Sequence, residues 1–339
     1  MSILAGNPEE LIRITNLKKS FNVVRRKGLG IEHKKLHAVN DVSFSISASQ
    51  SFGIVGESGS GKSTLGRLIF GLERPTAGTI HYGGMEVNGL SEDGLHAYWR
   101  DIQIVFQDPF SSLNPRMRIG DALSEPLKNF LGMDRHARSV RADELLDLVG
   151  LPKRTIKHYP HELSGGQRQR VAIAAALAVN PKIIIADEAV SALDVSVQAQ
   201  IINLLSDLRR QLGLTYIFVT HDLNLCAYFC DRIAVLYLGQ IMEICEADKL
   251  LSEPRHPYTQ ALISAIPSVN TENRRERTIL GGEIPSPLDP PTGCPFQPRC
   301  PYAIPRCKEQ RPRLEETGES HLVACHVVAD ELNSIKERS

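Results

Sequence analysis

The chain carries no surplus of charge of either sign. Its 39 Lys and Arg balance its 39 Asp and Glu, so bulk electrostatics offer no footprint for nucleic acid or an anionic membrane surface. Clusters such as Arg25-Arg26-Lys27 and Arg274-Arg275 read as solvated loop charge. Long apolar runs are missing as well: none approaches the roughly 18 residues a bilayer-spanning helix needs. The opening stretch, Met1–Glu10, has neither the basic nor the apolar region of a signal peptide. The expectation is a soluble, intracellular protein that meets a membrane only through partners. No internal repeat is visible. The 7 cysteines are odd in number in a chain without secretory features, which excludes a disulfide framework.

What is present is concentrated in one stretch, Gly56-Glu57-Ser58-Gly59-Ser60-Gly61-Lys62-Ser63, followed by Thr64. It fits the phosphate-binding pattern G-x-x-x-x-G-K-[ST]. The context is right: Ser51–Val55 reads as a buried strand, and Ser63–Phe70 as a helix with Gly71 placed to cap it. Glycines 56, 59 and 61 permit backbone angles that let successive N–H groups converge on phosphate oxygens. The helix N-terminus adds partial positive charge and Lys62 a full one, while the Ser63 hydroxyl can ligate Mg²⁺.

Elsewhere the periodicity alternates between strands and helices. Leu11–Leu17 and His37–Ile46 alternate as strands, with a polar loop expected from Phe21 onward. Gly83-Gly84 and Gly239 mark hairpins. From about Leu95 the pattern turns helical, interrupted by Val105–Pro109 and Asn114-Pro115, and it closes with Val171–Ala178. Lys182–Asp187 and Thr215–Thr220 are continuous apolar runs, as expected of central parallel strands. This predicts a mainly parallel α/β sheet with an antiparallel edge and a helical subdomain at about 95–178. After Ser252 the texture changes, with 12 of the 20 prolines and four of the seven cysteines lying beyond it. A boundary near Glu253 is expected, dividing 1–253 from a small irregular, cysteine-rich extension, 254–339.

Asp187 ends an apolar strand and Glu188 follows it. An acid at such a tip can hold Mg²⁺ opposite Ser63, and its neighbour can orient or deprotonate an attacking water. His221 follows the next strand, where it suits a donor to a γ-phosphate.

Leu163-Ser164-Gly165-Gly166-Gln167 resembles the signature sequence of ATP-binding-cassette ATPases. The other elements of that family occur in its order: Gln107 (Q-loop), Ser191–Asp194 (D-loop) and His221 (switch histidine). Phe21 resembles the aromatic that stacks on adenine. The resemblance covers about 11–252 and implies the P-loop NTPase fold with its RecA-like sheet, ATP and Mg²⁺ as ligands, and Gln107 beside Ser63 and Asp187 at the metal. It implies two cassettes meeting head to tail, so that Ser164, Gly165, Gly166 and Gln167 serve the partner's ATP and Asp194 lies near the junction. Ala189 stands where most of the family has proline; Glu188 is retained, so a competent site is expected.

Pro254–Leu262, Pro291–Ala303 and Leu322–Cys325 resemble the extension found in ATPase subunits of dipeptide and oligopeptide importers. Nickel, glutathione and some oligosaccharide importers share that plan. The resemblance implies a cytoplasmic-face location, a second ATPase subunit (a paralogue or a second copy), two permeases and an extracytoplasmic binding protein. A soluble ABC ATPase outside transport is the alternative from a different class. Cys294, Cys300, Cys307 and Cys325, spaced C-x5-C-x6-C-x17-C, suggest a metal staple for a segment with little core of its own. Proline beside two of them suits a [4Fe–4S] cluster, which the subfamily carries. Zinc, with His321 or His326 completing the site, and plain thiols are the alternatives. Cys226, Cys230 and Cys245 read as core residues.

Overall fold

The computed structural model describes residues 10–27, 30–108, 113–266, 280–318 and 320–336. Met1–Glu9, Pro109 and Arg274-Arg275 lie outside the described residues.

The chain opens with two long strands, β1 (Glu10–Lys27) and β2 (Gly30–Ser47), paired antiparallel. Phe21 pairs with Leu36 inside this ladder, so the loop expected from Phe21 is strand instead. β3 (Ser51–Val55) leads through the phosphate loop into α1 (Lys62–Phe70). β4 (Ala77–Tyr82) and β5 (Met85–Glu86) flank Gly83-Gly84 as a hairpin. Next come α2 (Glu92–Asp101) and β6 (Ile102–Phe106). The helical stretch expected from about Leu95 is therefore broken by a core strand.

Three helices follow: α3 (Ile119–Leu131), α4 (Arg135–Leu148) and α5 (Gly165–Leu177). The chain then alternates through β7 (Ile183–Asp187), α6 (Val195–Leu212), β8 (Thr215–Thr220), α7 (Leu223–Phe229), β9 (Arg232–Tyr237) and β10 (Gln240–Glu246). The remaining elements are α8 (Ala247–Ser252), α9 (Pro257–Ser264), α10 (Pro305–Glu309), β11 (Glu315–Gly318), β12 (His321–Val323) and α11 (His326–Lys336).

Two sheets result. One is antiparallel, ordered β2-β1-β4-β5; the other is ordered β11-β12-β10-β9-β3-β8-β7-β6. In the larger sheet β9, β3, β8, β7 and β6 are parallel neighbours, and β10, β12 and β11 continue it antiparallel. The apolar runs are continuous because both faces of this sheet are covered. Ile183, Ile185, Ile217 and Val219 enter the core shared with β1, β2 and α1. Ile184, Ala186, Tyr216 and Phe218 enter the core shared with α3–α6. A strand buried on both sides has no polar face to alternate with.

The change of texture near Glu253 does not end the sheet. β10 pairs with β12 of the extension, and Cys294, Phe296 and Cys307 join the same apolar cluster as Tyr237 and Phe218. The extension is thus more regular than its composition suggests, and it borrows the cassette's core.

Candidate functional site

The strand order assembles the predicted residues. β3, β8, β7 and β6 lie side by side and parallel. Their C-terminal ends carry the phosphate loop, His221, Asp187-Glu188 and Gln107 in turn. Open parallel sheets bind ligands at this edge.

The loop is shaped by close backbone approach. Gly61 has φ 101°, and a Cβ there would stand 2.1 Å from the Ala38 carbonyl oxygen. Ser60 accepts a backbone hydrogen bond from Gly239 at 2.7 Å, tying the loop to the β9–β10 turn. Lys62 is buried; its Nζ donates to the carbonyls of Gly56 at 2.8 Å and Glu57 at 3.0 Å. Burial lowers its pKa, against the pull of Glu188, Asp187 and Glu57. Ser58 and Gly59 are exposed at the loop tip, and Ser63 and Thr64 are half-buried in the first turn of α1.

The Ser63 hydroxyl donates to Asp187 Oδ1 at 2.9 Å. The two expected Mg²⁺ ligands therefore face each other across the β3–β7 edge. Burial raises the Asp187 pKa, opposed by the Ser63 hydrogen bond and Arg67. A hydroxyl and a carboxylate held out of water are the hard oxygen donors that Mg²⁺ accepts. Gln107, exposed, follows Phe106, which pairs with Asp187 in the β6–β7 ladder.

Glu188 sits in the left-handed region at φ 50°. For a residue with a Cβ this conformation is uncommon and marks a constrained position. Its backbone is over-determined: its N–H donates to the Val219 carbonyl at 2.8 Å, and its carbonyl accepts from the Ser191 N–H at 3.1 Å and hydroxyl at 2.9 Å. The result aims the Glu188 carboxylate to within 3.5 Å of His221 Nδ1. Ala189 is buried.

Ser164 caps α5 with a reciprocal box. Its hydroxyl accepts from the Gln167 N–H at 3.3 Å, and the Gln167 side chain accepts from the Ser164 N–H at 3.0 Å. The N–H groups of Gly165 and Gly166 in this first turn have no intrahelical acceptor. A Cβ on Gly166 would stand 2.6 Å from Val197 Cγ1, so the glycine is required by packing against α6. Among the described residues no hydrogen bond joins 164–167 to the phosphate loop of the same chain. Asp194 occupies the N-cap position of α6 without a side-chain cap bond and is exposed. Phe21 is half-buried, with Lys19 Nζ 4.8 Å from its ring centre.

The extension contributes contacts that sequence reasoning missed. His256 and Tyr258 of the His-Pro-Tyr segment are buried, and Arg299 makes an ion pair with Glu57 of the phosphate loop. Burial pushes the Glu243 carboxyl up. Hydrogen bonds from His321 and from the N–H groups of Arg255 and His256 outweigh that and hold its pKa below the ordinary value. His321 Nε2 lies 2.6 Å from Glu243, and His326 Nε2 donates to the Gln310 carbonyl at 3.0 Å. In each histidine the Nε2 is engaged by a group other than Cys294, Cys300, Cys307 or Cys325.

Cys294, Cys300, Cys307 and Cys325 converge. Burial raises the Cys294 thiol to about 12, opposed by the Phe296 N–H that donates to its sulfur and reinforced by the other three thiols. The Tyr302 N–H reaches Cys300, and those of Val327 and Val328 reach Cys325. Cys226, Cys230 and Cys245 are buried in the core, as predicted.

The ABC transporter family profile matches residues 39–191, and that of the oligopeptide/dipeptide transporter C-terminal region matches 242–307. AppF, an oligopeptide transport ATP-binding protein of Bacillus subtilis (strain 168), is 47% identical over 328 residues, 95% of this chain and 99% of AppF. The chain belongs to the ATP-binding subunits of ABC transporters. YkfD of the same organism is 48% identical over 320 residues, 94% of this chain and 95% of YkfD. A solved dimer of the ATP-binding cassette MJ0796, in a post-hydrolysis state with ADP and Pi, matches with a TM-score of 0.61. It is 35% identical and covers 70% of this chain and 98% of its own. As a member of this family the subunit hydrolyses ATP with Mg²⁺ and works with membrane-embedded permeases. Among the described residues no helix of its own is long and apolar enough to cross a membrane.

Proposed function

We propose that this ABC subunit energises import of dipeptides or oligopeptides from the cytoplasmic face of the cell membrane. It would pair with a second cassette subunit and drive two permeases that are fed by an extracytoplasmic binding protein. The observation carrying this reading is the match of the peptide-transporter C-terminal region, 242–307, together with the near full-length likeness to AppF. The test is ATP-driven uptake of a labelled peptide by the reconstituted complex, competed by unlabelled peptides and abolished by Lys62→Ala. Uptake of nickel, glutathione or an oligosaccharide with no peptide uptake would overturn the peptide assignment.

At the site, Ser63 and Asp187 would hold Mg²⁺, with Gln107 beside them. The ion, when bound, offsets phosphate charge. Lys62 and the N–H groups of the loop, Gly56 through Thr64, bind the phosphates. Glu188 takes the proton of the attacking water, and His221 donates to the γ-phosphate from the opposite side of the same carboxylate contact. Phe21 stacks on adenine. Ser164, Gly165 and Gly166 serve the partner's nucleotide, because the capping box leaves first-turn N–H groups directed outward from the helix N-terminus. Gln167 acts through that box. Asp194 and the exposed Val195 stand at the junction of the cassettes, and the dimeric state of MJ0796 supports this arrangement.

For the cysteines we favour a [4Fe–4S] cluster over zinc. Four cysteines, three of them supplied with backbone N–H groups toward sulfur, suit an iron–sulfur group. Its role there is to staple the extension. A brown protein absorbing near 400 nm after anaerobic purification supports the cluster, and a colourless protein with stoichiometric zinc defeats it.

A further inference from the structure

Two residues of the extension grip Glu57, the second residue of the phosphate loop. The Glu57 N–H donates to Tyr258 Oη at 3.0 Å. Arg299 forms a two-pronged ion pair with the Glu57 carboxylate, Nη1 to Oε2 at 2.8 Å and Nη2 to Oε1 at 3.2 Å. The Arg299 side chain is 8% exposed, so this is not the solvated kind of pair that contributes almost nothing. Nη1 also donates to Tyr237 Oη at 3.4 Å. Tyr237, Tyr258 and Phe296 pack as a ring cluster with centroids 4.7 to 5.5 Å apart.

The same residues adjoin the four cysteines. Cys294 and Phe296 are buried in the same apolar cluster as Tyr237 and Tyr258. Arg299 immediately precedes Cys300 on a short 3₁₀ turn, Gln297–Arg299. At the other end, the Glu57 carbonyl accepts from Lys62 Nζ at 3.0 Å. Glu57 is therefore held at its N–H, side chain and carbonyl at once. Its carbonyl helps decide where the Lys62 ammonium stands.

We propose that Arg299 and Tyr258 are positioning residues for nucleotide binding: they hold Glu57, and through it Lys62, so that closure of the cysteine cage is coupled to ATP affinity. The proposal rests on the reading of Gly56–Thr64 as the ATP phosphate site.

The test is equilibrium binding of a fluorescent ATP analogue with Mg²⁺ to the full chain, with unfolding midpoints measured alongside. Arg299→Met should weaken binding about tenfold, and Arg299→Lys, which keeps one prong, should recover part of that. Tyr258→Phe should weaken it about threefold, because the Glu57 N–H loses its acceptor. Cys300→Ser should weaken binding in the wild-type background and add nothing in Arg299→Met. A merely structural role would lower the midpoint of Arg299→Met and leave the affinity of the folded protein unchanged. Wild-type affinity in Arg299→Met overturns the clamp, and additive effects of Arg299→Met and Cys300→Ser overturn the coupling. Lys62→Ala separates the two readings. If it too binds as wild type, the loop itself is not the ATP site; if it alone loses binding, only the clamp fails.

Discussion

Mild acid should loosen this subunit through one buried histidine. His256 caps α9: its Nδ1 accepts the Tyr258 N–H at 3.0 Å, and its ring donates to the Ala324 carbonyl, next to Cys325. It packs against Phe296 with centroids 5.7 Å apart. Burial lowers its pKa from 6.5 to about 4, in spite of Glu243 and the Ala324 hydrogen bond. The folded value lies below the unfolded one, so the unfolded chain takes the proton first. Above pH 6.5 the group contributes little; as the pH falls from there toward 4 the folded state loses ground. At 1.36 kcal/mol per unit the loss is about 2 kcal/mol at pH 5 and about 3 kcal/mol at pH 4. The Glu243 carboxyl, held below its ordinary range, keeps its stabilising charge through the upper part of that window. Urea unfolding followed by circular dichroism at pH 7 and pH 5 measures the effect, with His256→Asn as control because asparagine keeps the cap acceptor without titrating. The wild type should lose about 2 kcal/mol more than the variant over this interval. Equal losses in both proteins would refute the reasoning.

Gly166→Ala places a Cβ 2.6 Å from Val197 Cγ1 and should destabilise the protein by about 1–3 kcal/mol. Val197→Ala in the same chain should recover most of it, and failure to recover would contradict the packing explanation. Glu243→Leu leaves the Arg255 and His256 N–H groups and His321 without their acceptor. It should cost about 3–5 kcal/mol and open the extension to limited proteolysis, which an unchanged cleavage pattern would exclude.

The parts legible in the sequence are those whose signal is local. A glycine-rich loop between a strand and a helix, an apolar run closed by Asp187, and a cap followed by glycines at 164–166 each specify their own geometry. The parts that stayed hidden depend on distant partners. Ile102–Phe106 is a strand because it lies beside Ile183–Asp187; by itself it is a short run following a helix. The segments around Phe21 are strand because Ser20–Lys27 finds Gly30–His37 across the ladder, with no alternation to announce it. Proline and cysteine made the extension look separate, yet its apolar residues sit in the cassette's core. The Arg299–Glu57 pair spans 242 positions, and no local pattern in either segment points to the other.

Glu188, fixed in its left-handed turn beside His221, is proposed to activate the water that cleaves ATP held by Lys62, Ser63 and Asp187. The direct test is single-turnover hydrolysis in the assembled transporter, with the partner cassette's phosphate-loop lysine replaced so that only this subunit's loop holds nucleotide. Glu188→Gln should keep ATP bound and slow its cleavage by about 10²-fold or more. Cleavage at the wild-type rate would contradict the account.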